Sequence, residues 1–148
     1  MDELINAMKV YFATNFQYYT KAHGYHVNVV GDDFYQYHKL FQKVYEDSQE
    51  AIDPIAEEIR TLQSVVPFNL DRITELGKIE NADDAPSGSP MTQELLDDTE
   101  TLCETIRDAR VCAIAQDCFG LVNYLEERLD KHYKFQWMLR STTEKPQN

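Results

Sequence analysis

At 148 residues the chain is the size of one domain with room for a real core, and too short for two. Apolar residues make up 43% of it and aromatics 11%, with only 5 Gly and 5 Pro, which excludes a disordered chain or a turn-rich sandwich and favours packed helices. The 14 Lys+Arg against 26 Asp+Glu leave a net charge of −12, a field that repels phosphate backbones and anionic membranes and attracts cations.

The N-terminal stretch MDELINAMKVYF has no basic leader, and no apolar run of ~20 residues follows anywhere, so the chain reads as cytoplasmic with no membrane anchor. Leu4, Met8, Phe12, Phe16, Tyr19, Ala22 and His26 fall on one stripe of helical period, predicting a first helix that ends around Val29. Gly31-Asp32-Asp33 supplies a short break with possible caps. A second stripe, Phe34, Tyr37, Phe41, Val44, Ser48, Ile52, Ile55, Ile59 and Leu62, predicts a helix from about Asp33 to Gln63. Pro67 and the segment Gly77 to Pro90 read as a long crossover carrying a helical turn or two around Leu70 to Leu76.

Ser89-Pro90 fits the cap and first turn of a third long helix, whose stripe runs Leu95, Thr99, Leu102, Ile106, Ala109 and Ala113. Gly120 is expected to separate it from a fourth, through Leu125, Leu129 and Tyr133 to Leu139, with residues 141–148 as a short polar tail. Two hairpin-joined helix pairs with one long crossover make an all-α, ferritin-like four-helix bundle, read as one domain over 1–148 with no internal repeat. Cys103, Cys112 and Cys118 lack CxxC spacing and read as buried thiols of a reducing compartment.

Asp53 and Glu57 stand at i and i+4, so their carboxylates share one face of the second helix within reach of one cation. Acids so spaced are usually solvated surface. His26 and His38 flank the first break, each on or near an apolar stripe, where an imidazole is either a hydrogen-bonded core residue or a ligand. Together, two imidazoles and two carboxylates suit ferrous iron, which mixed N/O sites hold with positions left open for an oxidant. Within one chain they cannot all meet, because 15 residues of helix between His38 and Asp53 span roughly 22 Å. A two-fold axis crossing the second helix near Glu46 or Asp47 would set each chain's histidines against the other's acids, giving two equivalent sites per dimer. Around the helix, Asp53 lies about 60° and Glu57 about 100° from His38, on a flank where a partner could dock.

The stretch from His26 to Arg60, HVNVVGDDFYQYHKLFQKVYEDSQEAIDPIAEEIR, resembles the signature of the Dps (miniferritin) family. It has a histidine, an Asn two residues on, a second histidine, and D-x-x-x-E before an Ile-Arg. Arg128-Leu129, His132, Lys134 and Trp137 to Arg140 are similar to the family's closing helix. The resemblance implies His26, His38, Asp53 and Glu57 as inter-subunit ferroxidase ligands for non-haem iron. It further implies peroxide or dioxygen as oxidant and a hollow homo-oligomeric shell, a dodecamer, that stores ferric mineral. No histidine sits in a Glu-x-x-His motif, since the residues three before His23, His26, His38 and His132 are Thr20, His23, Tyr35 and Leu129; this argues against an intra-subunit di-iron site.

The sequence departs from the family in several places. The aromatic residue that often follows the first histidine is Val27, and Pro54 sits inside the second helix directly after the first acid. Asn123 replaces an acid at the start of the fourth helix, leaving Asp117 and Glu127 as pore candidates that could equally be plain surface charge. His23 reads as a solvent-exposed or supporting residue. A Lys-rich terminus for holding DNA is absent, with only Lys9 in the first ten residues and Lys145 in the last eight, so DNA binding is not expected. The alternative function is a DNA-compacting or structural shell protein of the same fold without ferroxidase activity.

Overall fold

A computed structural model describes residues 1–146. It contains five helices: α1 (Asp2–Asn28), α2 (Phe34–Thr61), α3 (Leu70–Leu76), α4 (Gly88–Ala115) and α5 (Phe119–Thr143), with no strand among the described residues. None of the described helices is long and apolar enough to cross a membrane.

The four long helices bury one stripe each. On α1 it runs Leu4, Met8, Tyr11, Asn15, Tyr18, Ala22, Tyr25, alternating steps of three and four, which keeps it on one face of a 3.6-residue helix. Asp2 and Glu3 in its first turn suit the positive end of the helix dipole. Phe41, Val44, Ile55 and Ile59 of α2 and Leu95, Leu102 and Ile106 of α4 are fully enclosed, each contributing about 1.5–3 kcal/mol of burial.

Direction follows from the cross-helix bonds. Asn15 Nδ2 donates to the Ser48 carbonyl (2.9 Å) while His26 meets His38, so α1 and α2 are antiparallel. Tyr18 Oη lies 2.6 Å from Thr99 Oγ1 and Tyr25 bonds Glu94, so α1 and α4 are antiparallel as well. That makes α2 and α4 parallel, and the chain must return along the whole bundle between them. Residues 62–87 make this return. Asn69 caps α3 by accepting from the Asp71 and Arg72 amides, and Ile73, Leu76 and Ile79 are buried. The strand-like exit is caught by α1 side chains: Lys78 N donates to Thr14 Oγ1 and Ile79 N to Gln17 Oε1. A Cβ on Gly77 would stand 2.0 Å from Gln17 Oε1, so any larger residue would push aside the Gln17 amide that accepts from Ile79 N.

Several boundaries differ from those the sequence predicts. The cap of α4 is Ser87, two residues before the expected Ser89, with Pro90 in the first turn. Gly120 lies inside α5; the break is 116–118, where Asp117 takes the left-handed conformation (φ 55°) and Cys118 N bonds the Ala113 carbonyl. Aspartate tolerates that region, so no glycine was needed. Helix α5 runs through Thr143, three residues into the expected tail, whose final residues 147 and 148 lie outside the described residues. Of the three thiols only Cys103 is buried, which pushes it up to about 12; Cys112 and Cys118 are half-buried.

Candidate metal centre

The last turn of α1 and the first turns of α2 bring His26 and His38 face to face, ring centroids 3.8 Å apart and planes 16° from parallel. Their hydrogen bonds are reciprocal: His26 Nδ1 lies 2.7 Å from the His38 carbonyl, and His38 Nδ1 lies 2.7 Å from the His26 carbonyl. A carbonyl can only accept, so each Nδ1 carries the proton and each Nε2 presents its lone pair. This is the outer-shell arrangement that orients metal-binding imidazoles. It also satisfies a backbone group, since the His26 carbonyl is among the last four of α1, which have no partner within the helix.

The two bonds close across the break 29–33, where Gly31 takes φ 118°, a conformation that side-chain-bearing residues rarely adopt. Asp33 stands at the N-cap of α2 without a side-chain cap bond, so the histidine bridge, rather than the expected aspartate cap, ties the corner. His26 is 8% exposed. Tyr45 packs 5.0 Å from its ring and Phe34 stacks 4.9 Å from His38. His23 is half-buried, stacked on Tyr45 at 4.1 Å. Val27 is 60% exposed.

Asp53 and Glu57 stand exposed farther along α2. Glu57 is held above the ordinary carboxylate range, first by a hydrogen bond with Asp53 and then by that residue's charge. Two carboxylates that raise one another's cost of ionising mark a place where a cation would be welcome. Helix α2 continues through Pro54. Among the described residues no group of three or more His, Cys, Asp or Glu gathers around one point; the candidate ligands form a pair at each end of an interval of roughly 22 Å. Asp117 is exposed at the α4–α5 turn and Glu127 is exposed on α5, about 12 Å of helix rise beyond its first residue.

Sequence reading missed a polar group in the bundle interior. Arg128 donates through both terminal nitrogens to Asp47 (3.2 and 2.6 Å) and its Nη2 lies 3.2 Å from His132 Nε2. His132 is fully enclosed; burial first, then the charges of Arg128 and Lys131, hold it well below the ordinary histidine range, so it is neutral. The Arg128/His132 spacing of four was visible, but Asp47 is 81 residues away in sequence.

A model of the ferritin-like domain matches residues 5–148. The chain is 33% identical over 144 residues to a low temperature-induced protein of Nostoc, covering 95% of this chain and 80% of that one. It is 27% identical over 129 residues to the DNA protection during starvation protein of Brevibacillus brevis, covering 85% of each. The crystal structure of the DPS protein from Vibrio cholerae O1, described as one of the ferritin-like diiron-carboxylate proteins, superposes with a TM-score of 0.92 at 26% identity, over 97% of this chain and 90% of that one. The protein therefore belongs to the ferritin-like family and to its Dps branch, whose fold serves iron storage in general.

Proposed function

We propose that this protein is a ferroxidase whose iron site is shared between two copies of the chain, His26 and His38 coming from one and Asp53 and Glu57 from the other. The observation that carries the reading is the reciprocal histidine bridge, which leaves two Nε2 lone pairs free at adjoining, oriented rings. The backbone bonds hold the α1–α2 corner through Nδ1, and they leave the second nitrogen of each ring for a ligand's role. Two neutral imidazoles and two carboxylates give Fe(II), the substrate, a mixed N/O set of four with positions left for an oxidant. A cation between Asp53 and Glu57 relieves the repulsion that raises Glu57, which favours its binding there. The harder Fe(III) product gains more from the carboxylates than Fe(II) does, and this difference favours oxidation by peroxide or dioxygen.

The ferric product is stored as mineral inside a closed homo-oligomer, a dodecamer assembled from two-fold dimers, in a single-domain cytoplasmic protein. The net charge of −12 draws Fe(II) inward, with Asp117 and Glu127 as entry residues. The name of the Brevibacillus relative speaks of DNA protection. Here protection comes from removing iron and peroxide together, because a chain of net charge −12 repels the DNA backbone.

Complementation tests the sharing. His26→Ala and Glu57→Ala chains, each inactive alone, are unfolded together and reassembled. Half of the dimers are then mixed, and each of those has one intact site, so about a quarter of the parent rate of Fe(II) oxidation should return. No recovery, with assembly intact by sedimentation, sinks the shared site.

A further inference from the structure

The polar group in the bundle interior is built around a single nitrogen. Arg128 Nη2 of α5 lies 2.6 Å from Asp47 Oδ2 of α2 and 3.2 Å from His132 Nε2, one turn farther along α5. A guanidinium has no lone pair to offer, so it donates to both. The fully enclosed His132 ring is therefore an acceptor at Nε2. Two further oxygens, Asn15 Oδ1 and Tyr11 Oη, are buried on α1 without a hydrogen-bond partner. Asn15 is anchored through its amide nitrogen on the carbonyl of Ser48, next to Asp47. Tyr11, one turn before it, lies within reach of the charges of both Arg128 and Asp47.

A carboxylate, an imidazole lone pair and two side-chain oxygens around one positive group are the surroundings of a metal ion. We propose that Arg128 is the resident cation of an interior site, standing where a divalent metal would otherwise bind, and that it thereby confines metal to the site shared between chains. The inference goes beyond the ferroxidase reading and rests on it only for the metal being iron. The contacts of 2.6 and 3.2 Å to Nη2 are longer than metal bonds of about 2.0–2.2 Å, so a metal in its place would draw His132 in by about an ångström.

Facing helices of a bundle are a common frame for metal sites, built in the core from side chains that project inward. Here only 16% of the Asp47 side chain is exposed, and an unpaired carboxylate so placed is costly, so it takes whatever cation is offered. The net charge of −12 gathers divalent cations around the chain. A groove between α2 and α5, carrying the exposed Glu50 and Glu127, reaches Asp47 and Arg128. Arginine answers that pull from within the chain. Its fork holds the carboxylate through two nitrogens, at 3.2 and 2.6 Å, and it neither loses its charge nor diffuses away. Metal lodged in the interior would be withdrawn from the shared site, and the guanidinium prevents that diversion.

The probe is Co(II), whose visible absorption reports nitrogen ligation, and the full chain carries His26→Ala and Glu57→Ala so that both halves of the shared site are dismantled. Adding Arg128→Ala should add one tightly held Co(II) per chain, with visible bands that the Arg128-bearing chain lacks. Adding His132→Ala as well should remove that ion. Methylguanidinium in solution should displace it and bleach the bands. The proposal is overturned if Arg128→Ala adds no Co(II), if the added ion survives His132→Ala, or if methylguanidinium leaves it in place. Loss of Arg128 strands the Asp47 charge and so weakens the fold. If Arg128→Ala does not fold alone, refolding with Co(II) should restore its helical signal, and a chain that folds in neither condition overturns the proposal as well. None of these readouts involves Fe(II) oxidation, so their failure leaves the ferroxidase reading standing, and failed complementation leaves the interior site standing.

Discussion

The two ends of α2 carry the two halves of the proposed site, and they are built on opposite terms. The histidine half is over-determined, His26 buried and His38 half-buried: each ring is held by the other's backbone and flanked by Tyr45 or Phe34. The acidic half is exposed, its two members standing one turn apart on α2 and raising the Glu57 carboxyl by their proximity. The difference is one between ligands the chain can orient by itself and ligands that a partner must complete. A neutral imidazole tolerates burial in the free subunit, whereas two carboxylates buried before any cation arrived would be costly.

His38→Ala tests the first half hardest. It removes a ligand together with the group that caps the α1 C-terminus, so Fe(II) oxidation should be lost and stability to urea should fall by about 1–3 kcal/mol. Unchanged stability would mean that the bridge contributes nothing to the corner. Glu57→Ala should abolish oxidation equally while leaving stability within about 0.5 kcal/mol, as for other exposed positions. A loss of stability matching that of His38→Ala would erase the contrast between the halves.

The smallest effect concerns pH. Glu57 titrates above the ordinary carboxylate range because of Asp53, so the folded state holds that proton more tightly than the unfolded chain does. The repulsion is therefore present above the raised pKa and relieved as pH falls through it. Asp53→Asn replaces a charge with a neutral group, and the Glu57 carboxyl should move down, as read by carbon NMR titration. An unmoved Glu57 would show that the two acids do not interact.

Much of this contrast could be read from residue types alone. The spacing of His26, His38, Asp53 and Glu57 and the rise of a helix were enough to divide the set in two. The range of α3 was also legible, because Asn69 and Gly77 bracket a short apolar repeat. The histidine bridge was not, since its acceptors are backbone carbonyls and leave no trace in side-chain identity. The α4–α5 corner was misplaced for a related reason: glycine is the conspicuous turn residue, but here Asp117 takes the left-handed position and Gly120 is helical. Nor could the sequence pair Asp47 with Arg128 across 81 residues, where only the closed bundle makes them neighbours.

The bridge also bears on the order of folding. His26 and His38 are 12 residues apart in the chain, whereas the α1–α4 contact between Tyr18 and Thr99 must close over 81. Loop closure costs grow with length and local contacts are favoured early, so the α1–α2 corner should form before the crossover is drawn in. The part of the protein that would orient the iron is then also among the first to take shape, leaving the long return between α2 and α4 as the slow step of maturation.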